Sequence, residues 1–213
     1  MQMRVALIDY RAGNLTSVKK AFAAIDADLF VPEDPAELDR ASALVVPGVG
    51  HFGATEALSD LWTQTIGRSV EAGRPLLGIC LGMQWLFDGS EEAPGRAGLG
   101  LLEGRCYRLP SEVNGTSVKI PHVGWNTLDV TRADSIVEGV APGSQVYFTH
   151  SFAAPTTGDT VALTEHGQRF ASIVQRGRVA GVQFHPEKSG EVGLRILKNF
   201  VSLVADGPPK GKR

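Results

Sequence analysis

Cysteine is nearly absent: the 213 residues include two, Cys80 and Cys106. Two are too few for the disulfide framework that staples a secreted domain, and neither lies in a metal-type C-x-x-C pair. Long apolar runs are missing as well. Nowhere do about eighteen apolar residues follow one another, and no charged-then-apolar signal segment precedes the first strand-like run. A formal net charge of -2 leaves no basic field to attract a polyanion. These absences point to a reducing, cytoplasmic setting with neither a membrane nor a nucleic acid as partner. No metal site and no cofactor are expected.

What is present is a composition near that of globular proteins, with 43% apolar and 21% charged residues. The length fits one domain, placed at 1–206, followed by a solvated tail at 207–213, G-P-P-K-G-K-R. The first half alternates strand-like runs (Arg4 to Asp9, Leu29 to Val31, Ala43 to Val46, Leu76 to Cys80) with helical stretches (Leu15 to Ile25, a helix after Gly53, Met83 to Phe87). This order predicts an α/β fold with a mostly parallel central sheet flanked by helices. The second half holds shorter runs at Thr127 to Val130, Val146 to Phe152, Val161 to Thr164, Ile173 to Gln175 and Val179 to Phe184, expected as additional antiparallel strands. Val192, Ile196, Leu197, Phe200, Val201 and Val204 then recur at helical spacing, so an amphipathic helix closes the chain.

Three segments carry chemistry. Gly78-Ile79-Cys80-Leu81-Gly82 follows an apolar strand and opens a helix, the form of a nucleophile elbow. A sharp strand-to-helix turn leaves room only for glycine on either side and lifts the central side chain clear of the sheet. The helix N-terminus favours a thiolate, because its unpaired N–H groups and macrodipole stabilise negative charge. The bland alternative is a buried structural cysteine, and Cys106, which has no such frame, takes that reading.

His185-Pro186-Glu187 ends the run Val179 to Phe184. In an extended segment residues two apart point the same way, so imidazole and carboxylate share a face, with Pro186 holding the backbone rigid. Such a carboxylate orients the ring and stabilises its protonated form. A surface loop with incidental charge is the alternative. His51, His122, His150 and His166 compete for the role of base, but only His185 has a carboxylate two residues away at a strand end. The third segment, Pro47 to Gly53, contains G-x-G-x-x-G. A dinucleotide fingerprint needs an acidic residue at the end of the next strand, and that strand ends in Cys80. The better reading is a flexible loop whose N–H groups cradle an oxyanion beside the nucleophile; a plain glycine turn is the alternative.

A Gly-rich loop after one strand, G-I-C-L-G-M-Q after the next and G-V-Q-F-H-P-E-K near the C-terminus together resemble the class I glutamine amidotransferases. Asp9 to Asn14, Pro47 to Phe52, Lys119 to Asn126, Tyr147 to Ser151 and Phe184 to Ser189 resemble one branch, the glutaminase subunits of imidazole glycerol phosphate synthases. The likeness runs from Val5 to about Val204. It implies a flavodoxin-like fold and hydrolysis of glutamine to glutamate and ammonia. Cys80 would form a γ-glutamyl thioester, His185 would move the protons and activate water, and Glu187 would orient His185. By the same resemblance the N–H groups of Val49 and Leu81 build an oxyanion hole, while Gly50, Gln84 and the backbone around His150, Ser151 and Phe152 hold the substrate. Phe152 departs from the family pattern, which has tyrosine there, and Thr149 stands where valine is common; backbone contacts are expected to survive both changes.

The chain accounts for glutamine hydrolysis but shows no phosphate-binding motif and no part that would use the ammonia. The resemblance supplies a partner in histidine biosynthesis, a cyclase with a (β/α)8 barrel that completes a heterodimer. That partner would combine ammonia with a phosphorylated ribosyl aminoimidazole-carboxamide nucleotide, giving imidazole glycerol phosphate and aminoimidazole carboxamide ribotide. A shielded path would keep ammonia unprotonated. Asn14, Trp125, Tyr147 and Lys188 are expected at the interface; the alternative for Trp125 and Tyr147 is the core. Glutaminase activity is expected to stay slow until the partner binds its nucleotide, because the loop Pro47 to Gly50 must turn an N–H inward. Three rival readings are a cysteine peptidase or hydrolase, a glutaminase of anthranilate or guanylate synthesis, and a silent regulatory subunit. They are opposed in turn by Gln84 with the H-P-E ending, by K-I-P-H-V-G-W-N, and by an intact Cys80, His185 and Glu187.

Overall fold

The computed structural model describes residues 4–205; the tail expected at 207–213 lies outside the described residues. Four short apolar strands, β1 (Arg4–Leu7), β2 (Asp28–Phe30), β3 (Ala43–Val46) and β4 (Leu76–Ile79), run parallel in the order β2-β1-β3-β4. Val179–Val182 joins β4 on its other side, also in parallel. Beyond it Gln168–Arg176, Thr160–His166 and Asp129–Val130 extend the same eight-stranded sheet with antiparallel pairing. The parallel first half and the antiparallel addition match the order read from the sequence, except that Val179–Val182, expected among the antiparallel strands, is antiparallel to Gln168–Arg176 but parallel to β4.

The middle strands are buried along their length, so their twofold alternation shows as a division between two cores. Val5, Leu7, Val45, Leu77 and Ile79 face Val18 and Phe22 of α1 (Leu15–Ala23) and Ile196, Leu197 and Phe200 of α4 (Gly190–Ala205). Ala6, Ile8, Leu44, Val46 and Leu76 face Ile66 of α2 (Asp60–Glu71) and Met83 and Trp85 of α3 (Leu81–Trp85). With roughly 1.5–3 kcal/mol from each fully buried large apolar side chain, the two cores hold the sheet rigid behind its strand ends. No helix among the described residues is long and apolar enough to cross a membrane.

Several runs divide where the sequence reads as continuous. Thr127 to Val130 falls into two sheets: His122–Thr127 pairs with Gln145–His150 as a separate ribbon, and Asp129–Val130 edges the main sheet. Val146 to Phe152 likewise breaks at Ser151, after which Phe152–Ala153 pairs with Arg105–Arg108. The break occurs because the Ser151 carbonyl is taken by Leu109 N–H at 2.9 Å and the Phe152 carbonyl by two side chains. The helix after Gly53 is a short 3-10 segment, Phe52–Ala57, followed by α2.

The turn from β4 into α3 packs backbone on backbone. A Cβ on Gly82 would lie 1.8 Å from the Val46 carbonyl oxygen, and one on Gly78 would lie 2.6 Å from the Gly82 carbonyl oxygen. Neither obstacle is a flexible side chain, so Gly82→Ala is expected to lower stability by about 3 kcal/mol, the upper end for overpacking. A urea midpoint equal to that of the unaltered chain would show that α3 can move aside.

Candidate active site

β4 is flanked by β3 and Val179–Val182, with Ile79 opposite Val182. Parallel neighbours open at the same end, so the residues that leave them, Cys80 and His185, emerge side by side in the crevice at the strand C-termini. Cys80 N–H still donates to the Val182 carbonyl at 2.8 Å, and one residue later the chain has turned into α3. The turn forces Cys80 to φ 53°, ψ -108°, a left-handed conformation for a side chain with a Cβ. Such strain costs about 1–3 kcal/mol and persists because the two glycine contacts leave the backbone no other course.

His185 Nδ1 and Glu187 Oε1 are 2.8 Å apart, with side chains 3% and 2% exposed. The route differs from the extended one expected. His185 is extended, but Pro186–Lys188 coils into a 3-10 turn, with Lys188 N–H on the His185 carbonyl at 3.0 Å. Proline opens that turn because its ring presets φ and it has no N–H to satisfy. Glu187 therefore meets the ring across a turn, not along a strand face. His185 Nε2 is buried and makes no hydrogen bond, and the ring is near enough to Cys80 for the thiol to act on its charge. Burial alone would lower the ring's pKa; interactions with Cys80 and then with Glu187 outweigh it and raise it to about 10. The ribbon fixes this segment: His185 N–H donates to the Tyr147 carbonyl, Tyr147 N–H to Ser189 Oγ, and the Ser189 hydroxyl to the His185 carbonyl.

A cavity of about 310 Å³ opens on Cys80. It is lined by every residue expected to hold substrate, Gly50, Gln84, His150, Ser151 and Phe152, and also by Glu92, Pro121 and Thr149. Gln84 Nε2 donates to the Phe152 carbonyl at 2.8 Å and to Gln183 Oε1 at 3.1 Å. The Phe152 contact is made by backbone, so phenylalanine in place of tyrosine leaves it intact. Two residues of the site carried no sequence-based role. Gln183, fully buried, points its Nε2 at the Cys80 sulfur at 3.7 Å, and Glu92 accepts from Phe52 N–H at 2.6 Å while facing the cavity. Gln183 stands inside G-V-Q-F-H-P-E, where a buried amide two residues before the histidine was a readable signal; Glu92 sits in a loop with no pattern to mark it.

The expected oxyanion donors are otherwise engaged. Val49 N–H donates to the Ala12 carbonyl at 2.8 Å, and Leu81 N–H to the Gly48 carbonyl at 3.3 Å. Gly48 is glycine because a Cβ there would lie 2.1 Å from the Tyr10 hydroxyl. Of the rival histidines, His51 caps Phe52–Ala57, His166 donates to the Lys119 carbonyl, and His122 bonds His150. Trp125, 55% exposed, is not a core residue; it meets half-buried Tyr147 edge-on, and Lys188 Nζ lies 5.6 Å from the Tyr147 ring centroid. Asn14 caps α1 through Ser17, and α1 packs against Pro186–Lys188. Among the described residues no group of three or more His, Cys, Asp and Glu could hold a metal ion.

Residues 6–203 match the sequence profile of the family Glutamine amidotransferase class-I. The chain belongs to that family. It is 42% identical to the imidazole glycerol phosphate synthase subunit HisH of Methanothermobacter thermautotrophicus, over 94% of this chain and 98% of that one. The subunits so named in Syntrophotalea carbinolica and Halobacterium salinarum are 44% and 46% identical, covering 92% and 95% of this chain and 98% and 94% of theirs. Among solved structures, a crystal structure of a glutamine amidotransferase aligns with TM-score 0.73 at 21% identity, over 94% of this chain and 98% of that one. PurLQS from Thermotoga maritima aligns with TM-score 0.72 at 18% identity, over 95% and 99%. These two likenesses show the amidotransferase fold.

The two thiols differ in a way that alkylation reads. Cys106 is fully buried and burial pushes its pKa far up, whereas Cys80 opens on the cavity. Iodoacetamide is expected to modify Cys80 first, with protection by glutamine; peptide mapping that finds Cys106 modified first would refute this order. The strained elbow has its own signature. Cys80→Gly is expected to be more stable than Cys80→Ala by about 1 kcal/mol, because glycine adopts positive φ freely; equal melting temperatures would remove the strain.

Proposed function

We propose that the chain hydrolyses glutamine through Cys80, His185 and Glu187 as the glutaminase subunit of an imidazole glycerol phosphate synthase in histidine biosynthesis. The observation that carries the reading is a nucleophile on a strained elbow that opens on a cavity, with a buried His–Glu pair at the end of the neighbouring strand. Cys80 Sγ attacks the side-chain carbonyl carbon of glutamine, and its proton passes to His185. His185 returns that proton to the nitrogen as the C–N bond breaks, releasing ammonia and leaving a γ-glutamyl thioester. Water then gives a proton to His185 while its oxygen attacks the thioester, and glutamate departs as the thiol is restored. In this reading Glu187 holds Nδ1, which leaves Nε2 to exchange the proton with Cys80, and it stabilises the imidazolium.

Glu92 is the one carboxylate in the cavity lining among the described residues, and it suits the α-ammonium group of glutamine. The oxyanion hole needs one rearrangement. The Gly48 carbonyl and the Val49 N–H belong to a single peptide unit, so rotating it breaks two hydrogen bonds at once. That motion frees Leu81 N–H and turns Val49 N–H toward Cys80, at about 1 kcal/mol for each bond given up. Such a resting state is slow until something favours the turned peptide.

The partner that would favour it is a cyclase with a (β/α)8 barrel, seated on the exposed ribbon face of Val123 and Trp125 beside Tyr147 and Lys188. Aromatic anchors of this kind dominate interfaces. Glutamate release is expected to rise by about 10²-fold or more when the nucleotide-bound cyclase is added, the worth of one oxyanion-hole donor, and to vanish in Cys80→Ala. Equal rates with and without the cyclase would remove the activation; no release in either case would remove the glutaminase. Glu92→Gln is expected to raise KM for glutamine about tenfold with kcat little changed, and an unaltered KM would release Glu92 from that role. Trp125→Ala is expected to weaken cyclase binding by at least about tenfold, read by titration calorimetry; unchanged affinity in a folded variant would move the interface elsewhere.

A further inference from the structure

The cavity wall at His150 is backed by a second buried histidine, His122, to which no step of the proposed chemistry gives a role. His122 and His150 face each other across the ribbon, 4% and 7% exposed, with His122 Nδ1 3.0 Å from His150 Nε2. His122 is sandwiched between the His166 ring at 4.1 Å and the Phe148 ring at 4.7 Å, and Phe170 presents its edge to both histidines. The stack fixes the plane of the His122 ring.

The proton positions follow from the two ends of the chain of bonds. At one end, His150 Nδ1 lies 2.9 Å from the Phe152 carbonyl, which can only accept, so Nδ1 carries the hydrogen. At the other, Asn126 Oδ1 accepts from Thr127 N–H, which leaves Asn126 Nδ2 to donate to the Glu165 carbonyl and to His122 Nε2 at 3.2 Å. His122 Nε2 is therefore an acceptor and His122 Nδ1 a donor, and His150 Nε2 receives it. Both ends require the same answer: two neutral Nδ1–H rings in one unbroken direction, from Asn126 through His122 and His150 to the Phe152 carbonyl.

We infer that His122 is a positioning residue for glutamine binding, holding through His150 the Phe152 carbonyl and with it the wall that Gln84 also grips. A proton added to His150 Nε2 would oppose the His122 donor, and one added to His122 Nε2 would oppose the Asn126 amide. The surroundings resist both. Burial first, and then His166 for His122, pushes the ring to about 4; burial, against the Phe152 carbonyl and with His122, His166 and His185 nearby, pushes His150 to about 3. The relay also joins the cavity to the ribbon whose opposite face exposes Val123 and Trp125, since His122 and Asn126 alternate with them along one strand.

The inference rests on the glutaminase reading for its kinetic part and is independent of it for its protons. In the full chain labelled with ¹⁵N-histidine at neutral pH, long-range ¹H–¹⁵N spectra are expected to show His122 and His150 as neutral Nδ1–H tautomers; an Nε2–H tautomer at either would overturn the relay, whatever the activity. His122→Leu is expected to raise KM for glutamine about tenfold, with kcat changed by less than about threefold, whereas His122→Asn, which restores a donor toward His150, recovers KM to within about threefold. An unchanged KM in His122→Leu, or equal losses in both variants, would reduce His122 to packing. If His122→Leu fails to fold, the tautomers of the unaltered chain still decide. Loss of glutaminase in the unaltered chain with both tautomers as expected would sink the proposed function and leave the relay standing.

Discussion

The pairing of β4 with Val179–Val182 is the constraint on which the site depends. Because Ile79 and Val182 are in register, one further residue along β4 is Cys80 and three further along its neighbour is His185. A shift of one residue would send every side chain of that strand to the opposite core and carry the histidine away from the sulfur. Two apolar cores therefore fix how Cys80 and His185 leave adjacent strands. The sheet can do this because its middle strands are buried on both faces and have one register that satisfies α1 and α4 on one side and α2 and α3 on the other.

On this rigid frame the parts that accomplish chemistry are held under opposing demands. Cys80 is strained, and the strain persists because Gly78 and Gly82 allow backbone contacts that no other residue permits. His185 and Glu187 are buried as a pair, which favours the protonated ring, the form that the proposed release of ammonia draws on. By contrast, the Gly48–Val49 peptide is held, among the described residues, by two hydrogen bonds that one rotation would break, and Val49 is 38% exposed. The weak element lies at the surface, and the strained and paired elements lie in the buried frame.

The sequence made the elbow legible because glycine at 78 and 82 around a cysteine has one steric explanation after an apolar strand. The two-core sheet was legible because strand-like runs alternated with helical stretches. H-P-E was legible as a pair, yet the geometry that joins its members is a proline-initiated turn; a short polar segment does not announce whether it stays extended. The break at Ser151 was hidden because it follows from carbonyls captured by distant residues, Leu109 and Gln84 among them. Glu92 was hidden for a related reason: its role comes from where its loop lands, not from its neighbours in sequence. The present conformation of the Val49 N–H was beyond reach, since glycine-rich loops permit either orientation of a peptide.

The most direct test of the central claim is intact-protein mass spectrometry of the chain, quenched in acid during glutamine turnover with the cyclase present. A mass increase of one γ-glutamyl group, mapped to the peptide carrying Cys80 and absent from Cys80→Ala, is the result expected. Steady glutamate release with Cys80 unmodified under conditions that trap thioesters, or with the adduct on Cys106, would contradict the elbow as the source of the nucleophile.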